Sequence, residues 1–251
     1  MRKFLLAASM MLAALIFAAS TNEKFWVHRC DSIEKFRLMS GKYAGLEIDA
    51  TFYPDEPRGS RFDVSHDKKK SVEYPLESFM EEIAACDNFI WFDFKNLTEE
   101  NASAALEELD GLLEQYGVDR SRFIVESHAY EQLREFRARG YYTAYEVPVH
   151  ASAYGDEILR DENFLFRNQG MVDYFCRVVR EAAESGAIDA VTFPYTYYRL
   201  VKHAQLDAEM LTWDVRGERW WDFYIRSDLR AMVFDERVRV ILVDAPTEFD
   251  R

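Results

Sequence analysis

GLEIDATF at residues 45–52 and NFIWFDFK at residues 88–95 are two runs of apolar, β-branched and aromatic side chains, and between them Leu76–Cys86 repeats apolar residues at helical spacing. Two strands joined through a helix pair in parallel, because the crossover returns the chain to the end of the sheet from which it started. This strand–helix–strand segment therefore predicts an α/β fold built on a parallel sheet.

The same alternation continues on both sides of this segment. Six further strand-like runs are present: Phe25–Arg29, Arg122–Ser127, Tyr141–Pro148, Ala187–Tyr195, Met210–Val215 and Val238–Ala245. Eight strands alternating with helices over about 230 residues match the size of a (β/α)8 barrel. An open doubly wound sheet is the alternative, but no Gly-rich phosphate loop follows the first strand. We therefore predict one domain over residues 21–251, a single (β/α)8 TIM barrel.

Composition and charge restrict the classes of partner. The chain has 251 residues, 49% of them apolar, which is enough for one large core and excludes a disordered protein. Its formal charge is −14, from 31 basic and 45 acidic side chains, so we expect no nucleic acid partner. A small anionic substrate stays compatible with this charge, because a metal or a local group of Lys and Arg reverses the field inside one pocket. The sequence contains no signal for an oligomeric state.

Residues 1–20 have the pattern of a secretory signal peptide. The basic start Arg2-Lys3 precedes the apolar run Phe4–Phe17, and small residues up to Ser20 supply a cleavage site. A retained membrane anchor is the alternative, but the apolar run is shorter than the ~20 residues that a bilayer-spanning helix needs. We expect export to the periplasm or the medium, without stable membrane insertion. Removal of residues 1–20 leaves 29 basic and 45 acidic side chains, a mature charge of −16.

Three cysteines, Cys30, Cys86 and Cys176, are widely spaced along the chain. So few cysteines form neither a disulfide framework nor a thiolate metal site. One disulfide and one remaining thiol is the most that they allow.

Candidate catalytic residues stand where the early strands end, the place at which TIM barrels carry their chemistry. Polar side chains lie at the ends of the first three predicted strands and on the loop after the second: His28, Arg29, Glu47, Asp49, His66, Asp93 and Lys95. Glu47 and Asp49 are two residues apart and therefore project from the same face of their strand, as do Asp93 and Lys95. These side chains are expected to meet at one barrel mouth.

The carboxylates Glu47, Asp49 and Asp93 indicate a metal site. Acidic groups crowded in a cleft do not all ionise cheaply unless a cation holds them. Oxygen ligands suit a hard divalent cation, so one Ca²⁺ or Mg²⁺ is the expected cofactor. The alternative is that these groups are solvated strand-end charges paired with Lys95 and Arg29.

An ordered set of short motifs resembles the phospholipase-C-like phosphodiesterase TIM-barrel superfamily: His28-Arg29, Glu47-x-Asp49, His66-Asp67 and Asp93-x-Lys95. The glycerophosphodiester phosphodiesterase branch has His-Arg-Gly, Glu-x-Asp, His-Asp and Glu-x-Lys in this order. The sphingomyelinase D branch has Asp-x-Lys and a late Trp, to which Asp93 and Trp213 are similar. The resemblance extends over residues 25–246 and includes a weak similarity around Asp244 at the end of the barrel. Its specific part is confined to residues 28–95.

The resemblance implies a role for each of these residues. The implied metal ligands are Glu47, Asp49 and Asp93, the implied general acid and base are His28 and His66, and the implied phosphate-binding side chains are Arg29 and Lys95. The implied reaction is phosphodiester cleavage, in which a neighbouring hydroxyl of the substrate attacks and a cyclic phosphate forms. A secreted, metal-dependent phosphoric diester hydrolase acting on a glycerophosphodiester or a phospholipid-like molecule is therefore expected.

Three departures separate this chain from both branches. Cys30 stands where the glycerophosphodiester branch has Gly, so the turn beside the first histidine has to be built differently. Asp93 is one methylene shorter than the Glu of that branch. The sequence Lys68–Ser71, which follows His66-Asp67, matches neither branch. These differences leave the substrate open.

Two other functions stay open. A retaining glycosidase on this fold has an acid after the fourth strand and a nucleophile after the seventh, positions at which Glu126 and Asp214 stand. Aromatic residues suited to stacking on sugars are Tyr145, Trp213, Trp220 and Trp221. This hypothesis leaves both histidines and the three early carboxylates unexplained. The other alternative is a catalytically inactive binding barrel, which the unmatched loop after His66 would favour.

Overall fold

The computed structural model describes residues 23–55, 61–66, 72–148, 155–215 and 227–249. Several predicted features lie outside these ranges: the signal peptide at 1–20, Asp67 with the lysines that follow it, and Trp220 with Trp221. Cys30, Cys86 and Cys176 lie inside the described ranges, and no disulfide joins them.

The described residues contain nine strands: β1 (Phe25–Val27), β2 (Gly45–Phe52), β3 (Phe62–Val64), β4 (Phe89–Phe94), β5 (Phe123–Ser127), β6 (Tyr142–Glu146), β7 (Ala190–Pro194), β8 (Glu209–Val215) and β9 (Val238–Val243). Eight of them pair in parallel in the order β1-β9-β8-β7-β6-β5-β4-β2. A further parallel pairing of β1 with β2 closes this ring. The predicted (β/α)8 TIM barrel is therefore confirmed, and each of its eight strands lies at one of the eight predicted runs.

Helices follow the strands along the chain, and those in the described ranges are α1 (Ile33–Ser40), α2 (Leu76–Ala84), α3 (Ala102–Tyr116), α4 (Leu133–Ala138), α5 (Gly155–Arg160), α6 (Phe164–Arg167), α7 (Gln169–Glu184), α8 (Tyr198–Ala204) and α9 (Ser227–Phe234). Short 3-10 turns precede β5 and α8. None of the helices within the described ranges combines the length and the apolar character needed to cross a bilayer.

Alternation along the strands divides the buried side chains into two cores. One apolar cluster fills the barrel itself: Trp26, Trp91, Ile124, Ala144, Ala190, Leu211, Val240 and Leu242. The larger cluster, which includes Ile48 and Phe92, lies between the barrel and the helices. Successive side chains of a strand point to opposite faces, so residues two positions apart share a face. Polar residues that stand two positions after inward-facing residues therefore also point inward. The acids of β2 and β4 are thereby directed to the mouth of the barrel.

Among the strands of the described residues, β3 is the one that the sequence did not predict. It pairs antiparallel with the end of β2, Phe52 opposite Phe62, and so stands outside the barrel ring. The Phe62 ring packs on those of Phe92 and Phe94, with centroids 5.3 and 5.4 Å away. This packing holds β3 against the outside of the barrel. His66 follows two residues after the end of β3, so the position of β3 also determines where His66 lies.

The amino-terminal end of the barrel depends on close packing between Trp26 and Gly45. The indole of Trp26 is 4% exposed and stacks on Phe89, with ring centroids 5.7 Å apart. A Cβ atom added to Gly45 would lie 2.1 Å from that indole. A buried ring wedged between two strands has little room to move, so no side chain larger than hydrogen fits at residue 45.

We expect Gly45→Ala to lower the free energy of unfolding by about 1–3 kcal/mol, the usual cost of overpacking a core. Urea denaturation followed by circular dichroism measures this loss. Gly41→Ala is the matched control, because a Cβ atom there meets nothing within 4 Å. Equal unfolding midpoints for the two variants would contradict the packing described for Trp26.

Candidate active site

A cavity of about 150 Å³ opens at the carboxyl ends of the barrel strands. Its lining consists of His28, Arg29, Glu47, His66, Trp91, Asp93, Lys95, Glu126, Glu146, Trp213 and Leu242. Six of the seven residues predicted to form the site are in this set. The seventh, Asp49, lies directly behind the lining and is 1% exposed. The structure therefore brings all seven predicted residues together.

The three predicted metal ligands form one compact cluster. Asp49 of β2 pairs in register with Asp93 of β4, and Glu47 lies two residues earlier on the same face of β2. One carboxylate oxygen from each of Glu47, Asp49 and Asp93 lies within 4.8 Å of the others. The Nζ atom of Lys95 lies 2.6 Å from Asp49 Oδ1 and also donates to Asp93 Oδ2. One ammonium group thus bridges two strands at the mouth.

Burial and crowding change the protonation of this cluster. Burial raises the pKa of Glu47 well above its ordinary value, and the neighbouring carboxylates raise it further. Burial also raises the pKa of Asp93, to about 7, although Lys95 opposes the shift. For Asp49, burial is outweighed by Lys95, so its pKa is lowered. Burial alone would lower the pKa of Lys95, but Asp93, Asp49 and Glu47 raise it overall.

Two oxygens of the cluster have unused acceptor capacity. Glu47 Oε1 and Asp49 Oδ2 are buried, and neither accepts a hydrogen bond from any residue in the described ranges. A buried acceptor without a partner is costly, by about 1–3 kcal/mol. An all-oxygen set of carboxylates with open positions matches the ligand preference of hard divalent cations. The residues present therefore fit Ca²⁺ or Mg²⁺.

His28 is held from two sides at the end of β1. Its backbone N–H donates to the carbonyl of Val243 in β9, and its Nδ1 lies 2.9 Å from Asp244 Oδ1. A carboxylate can only accept, so the ring proton is assigned to Nδ1. The other ring nitrogen, Nε2, lies 3.9 Å from Glu47 Oε2. This places the basic nitrogen of His28 at the cluster.

Arg29 joins the two predicted catalytic histidines. Its backbone has φ +55°, in the left-handed region, and its N–H donates to the Glu47 carboxylate. Its guanidinium Nη2 lies 2.9 Å from His66 Nε2. Since a guanidinium only donates, His66 accepts this hydrogen bond through Nε2. Arg29 therefore follows His28 in the chain and contacts His66 through its side chain.

Two acids that contact the predicted site residues, Asp244 and Asp31, were given no role by the sequence analysis. Asp244 was noted only as part of the weak similarity at the end of the barrel, and that similarity was its one signal. Asp31 is buried and accepts the backbone N–H of Asp49, at 2.9 Å. Burial raises the pKa of Asp31 well above its ordinary value, and the charge of Asp49 adds to this effect. No spacing rule marks Asp31, although it directly follows the departure at Cys30.

The wall formed by β5 and β6 carries two more acids. Glu126 accepts hydrogen bonds from Trp91 Nε1 and from Thr192 Oγ1, one on each carboxylate oxygen. Burial raises the pKa of Glu126 well above its ordinary value, and other carboxylates add to this. Glu146 Oε2 lies 2.8 Å from Nε2 of His128, whose pKa is raised by that contact.

The glycosidase hypothesis relied on Glu126 and Asp214. Both carboxylate oxygens of Glu126 are engaged inside the barrel, so this side chain ties strands together. The side chain of Asp214 lies outside the described part of the structure, and the proposed pair is therefore untested. Trp213, next to it, lines the cavity.

No family model matches this sequence, and no curated protein matches it. Solved structures match over most of the chain. A structure from Agrobacterium tumefaciens, assigned as a glycerophosphoryl diester phosphodiesterase, is 12% identical over 88% of this chain and 92% of its own, with a TM-score of 0.58. One from Silicibacter pomeroyi with the same assignment is 14% identical over 88% and 89%, with a TM-score of 0.55.

A third structure is an Oleispira antarctica phosphodiesterase in complex with its product, sn-glycerol-3-phosphate. It is 12% identical over 90% of this chain and 94% of its own, with a TM-score of 0.54. Likeness at such low identity establishes the fold. This chain therefore has the TIM-barrel fold of the glycerophosphodiester phosphodiesterases.

Proposed function

We propose that this protein is a metal-dependent phosphoric diester hydrolase acting on small glycerophosphodiesters or phospholipid-like molecules. One observation carries the proposal: two histidines, an arginine and a lysine line the same cavity as a cluster of carboxylates with open oxygens. Phosphodiester cleavage needs these groups together, because charge develops on the phosphoryl oxygens while protons are exchanged at the attacking and leaving oxygens.

One divalent cation, Ca²⁺ or Mg²⁺, is the proposed cofactor, held by Glu47, Asp49 and Asp93. When bound, it supplies positive charge against the phosphoryl oxygens. Glu47 Oε1 and Asp49 Oδ2 are the acceptors with capacity for it. Lys95 neutralises part of the cluster and keeps Asp49 ionised, so that this ligand is ready at neutral pH.

The two histidines exchange protons with the substrate. In the proposed step one imidazole takes the proton of a hydroxyl next to the phosphate, the hydroxyl oxygen bonds to phosphorus, and the bond to the leaving alcohol breaks. The other imidazole protonates the departing alkoxide, which leaves a cyclic phosphate. Water then opens this ring, with the two imidazoles in exchanged roles as base and acid. Asp244 fixes His28 with Nε2 as the basic nitrogen and stabilises the imidazolium that forms.

Arg29 and Lys95 bind the nonbridging phosphate oxygens. The guanidinium of Arg29 donates to His66 Nε2, and a phosphate oxygen is a stronger acceptor for the same donor. Binding of substrate therefore moves Arg29 to the phosphate and releases His66 Nε2 for proton transfer. Lys95 has an ammonium already oriented by Asp49 and Asp93, which limits the entropy lost on binding.

The substrate class rests on the cavity and on the resemblance. A cavity of about 150 Å³ accommodates a phosphate with a small alcohol and leaves longer chains outside. The Oleispira antarctica structure holds sn-glycerol-3-phosphate, which is consistent with a glycerol-containing diester. Asp93 and Trp213, both at the cavity, favour a phospholipid-like substrate of the sphingomyelinase D type as the variant of this proposal. We further propose that residues 1–20 direct export and are removed.

Metal removal is the first test. We expect EDTA to abolish hydrolysis across a panel of glycerophosphodiesters and sphingomyelin, and re-addition of Ca²⁺, Mg²⁺, Mn²⁺ or Zn²⁺ to identify the active ion. The same ion should raise the melting temperature, because it binds the folded state. Asp49→Asn should weaken that rise, whereas Asp207→Asn, an exposed control, should not. Full activity and unchanged melting in EDTA would exclude a metal site.

Replacement of the histidines tests the chemistry. His28→Ala and His66→Ala should each lower turnover by ~10²-fold or more, the usual effect of losing a general acid or base. Metal-induced stabilisation should be retained, since neither ring belongs to the carboxylate cluster. A nitrophenyl diester should rescue the variant that lacks the general acid, because nitrophenolate is a stable anion that leaves without being protonated. His203→Ala is the exposed control; wild-type turnover by both active-site variants would remove the assignment.

Export is tested by intact-mass analysis of protein from the native host. The expected mature chain begins near Thr21 and is found in the soluble exported fraction, because a small-residue site follows the apolar run. Recovery of the chain with Met1 in a membrane fraction would contradict the signal peptide.

A further inference from the structure

The turn between β1 and α1 contacts both metal-ligand positions of β2 through hydrogen bonds. Arg29 N–H donates to the Glu47 carboxylate, and Cys30 N–H donates to the Glu47 carbonyl at 2.7 Å. One step further along, the N–H of Asp49 donates to Oδ1 of Asp31 at 2.9 Å. This is how the chain builds the turn that has Cys30 where the resembled branch has Gly.

The Asp31 side chain takes the place of a missing backbone partner. Strand β1 ends at Val27, where it pairs with Leu46, so β1 itself offers no carbonyl opposite Asp49. In a parallel strand pair, a carbonyl that accepts from the neighbouring strand is followed two residues later by an N–H that donates to it. On β2 the carbonyl is that of Glu47, and the N–H is that of Asp49. A carboxylate oxygen in this position completes the ladder and fixes the backbone of a residue whose side chain faces the cluster.

The placement of Asp31 is costly for a structural role alone. Asp31 is 5% exposed, so its polar carboxyl is taken out of water next to the carboxylate cluster. Its neighbour Ser32 already caps α1 by accepting the N–H of Lys35. The helix therefore does not need Asp31, and the contact with Asp49 is its distinguishing feature.

We propose that Asp31 is a positioning residue that aligns Asp49 for a divalent cation. Asp31 holds the N–H of Asp49 and also contacts its carboxylate, and Lys95 holds its Oδ1, whereas Oδ2 accepts no hydrogen bond from a donor among the described residues. Both contacts restrict the rotation of the ligand, so less order has to be imposed when the ion binds. The inference rests on the metal site of the proposed function.

The test is metal affinity, measured by isothermal titration calorimetry at a temperature well below unfolding. Asp31→Ala should weaken binding of the activating ion by ~10–100-fold, the scale found for residues that orient metal ligands. Asp31→Asn keeps an oxygen acceptor for the Asp49 N–H and should stay within a few-fold of wild type. Asp31→Leu keeps the volume without the acceptor, so it should weaken binding as Ala does and serves if the Ala variant fails to fold.

Asp189 provides a matched control at the opposite end of the barrel. Its carboxylate accepts the N–H of Thr143 in β6 at 3.0 Å, a contact of the same kind far from the mouth. Asp189→Ala should lower stability without altering metal affinity. Wild-type affinity in Asp31→Ala or Asp31→Leu, or weak binding by Asp31→Asn equal to that of Ala, would overturn the proposal. Absence of metal binding by the wild type would instead refute the metal site.

Discussion

The ammonium group of Lys95 between the carboxylates of Asp49 and Asp93 is the contact on which the mouth of this barrel depends. Three acids brought out of water on adjacent strands repel one another, and each favours protonation. The ammonium group of Lys95 lowers the pKa of Asp49, whereas the pKa values of Glu47 and Asp93 stay raised. The fold therefore supplies only part of the charge that would neutralise the three acids, and the proposed divalent cation would supply the remainder.

The apolar interior below the mouth strengthens the electrostatic interactions between these charged groups. Trp91 and Leu242 line the cavity and belong to the cluster that fills the barrel. Trp91 also donates to Glu126, which Thr192 holds from the other side, so β4, β5 and β7 are joined beneath the site. Electrostatic interactions act over a low local dielectric there, which makes both attraction and repulsion larger than at a solvated surface. Packing and chemistry thus depend on the same inward-facing rows.

Local pattern was enough to predict the barrel and the residues on the first strands, because period-two alternation determines which side chains share a face. Glu47 with Asp49, and Asp93 with Lys95, followed from that rule. The role of Asp244 could not be derived in this way, since it depends on β9 lying beside β1. Asp31 acts from a turn that no periodicity describes. Strand β3 has three residues, too few for a recognisable alternation, yet the chain after it delivers His66.

Closure of the barrel brings residues from the first and the last strand into contact at the candidate site. His28 and Asp244 are 216 residues apart in sequence and 2.9 Å apart in space. A partly synthesised chain has the histidine without the carboxylate that contacts it, and its β1 lacks one of its two neighbours. Such long-range contacts form late and at high entropic cost. The contact between His28 and Asp244 consequently forms only when both the first and the last strand of the barrel are in place, and loss of the last strand removes the side chain that orients His28.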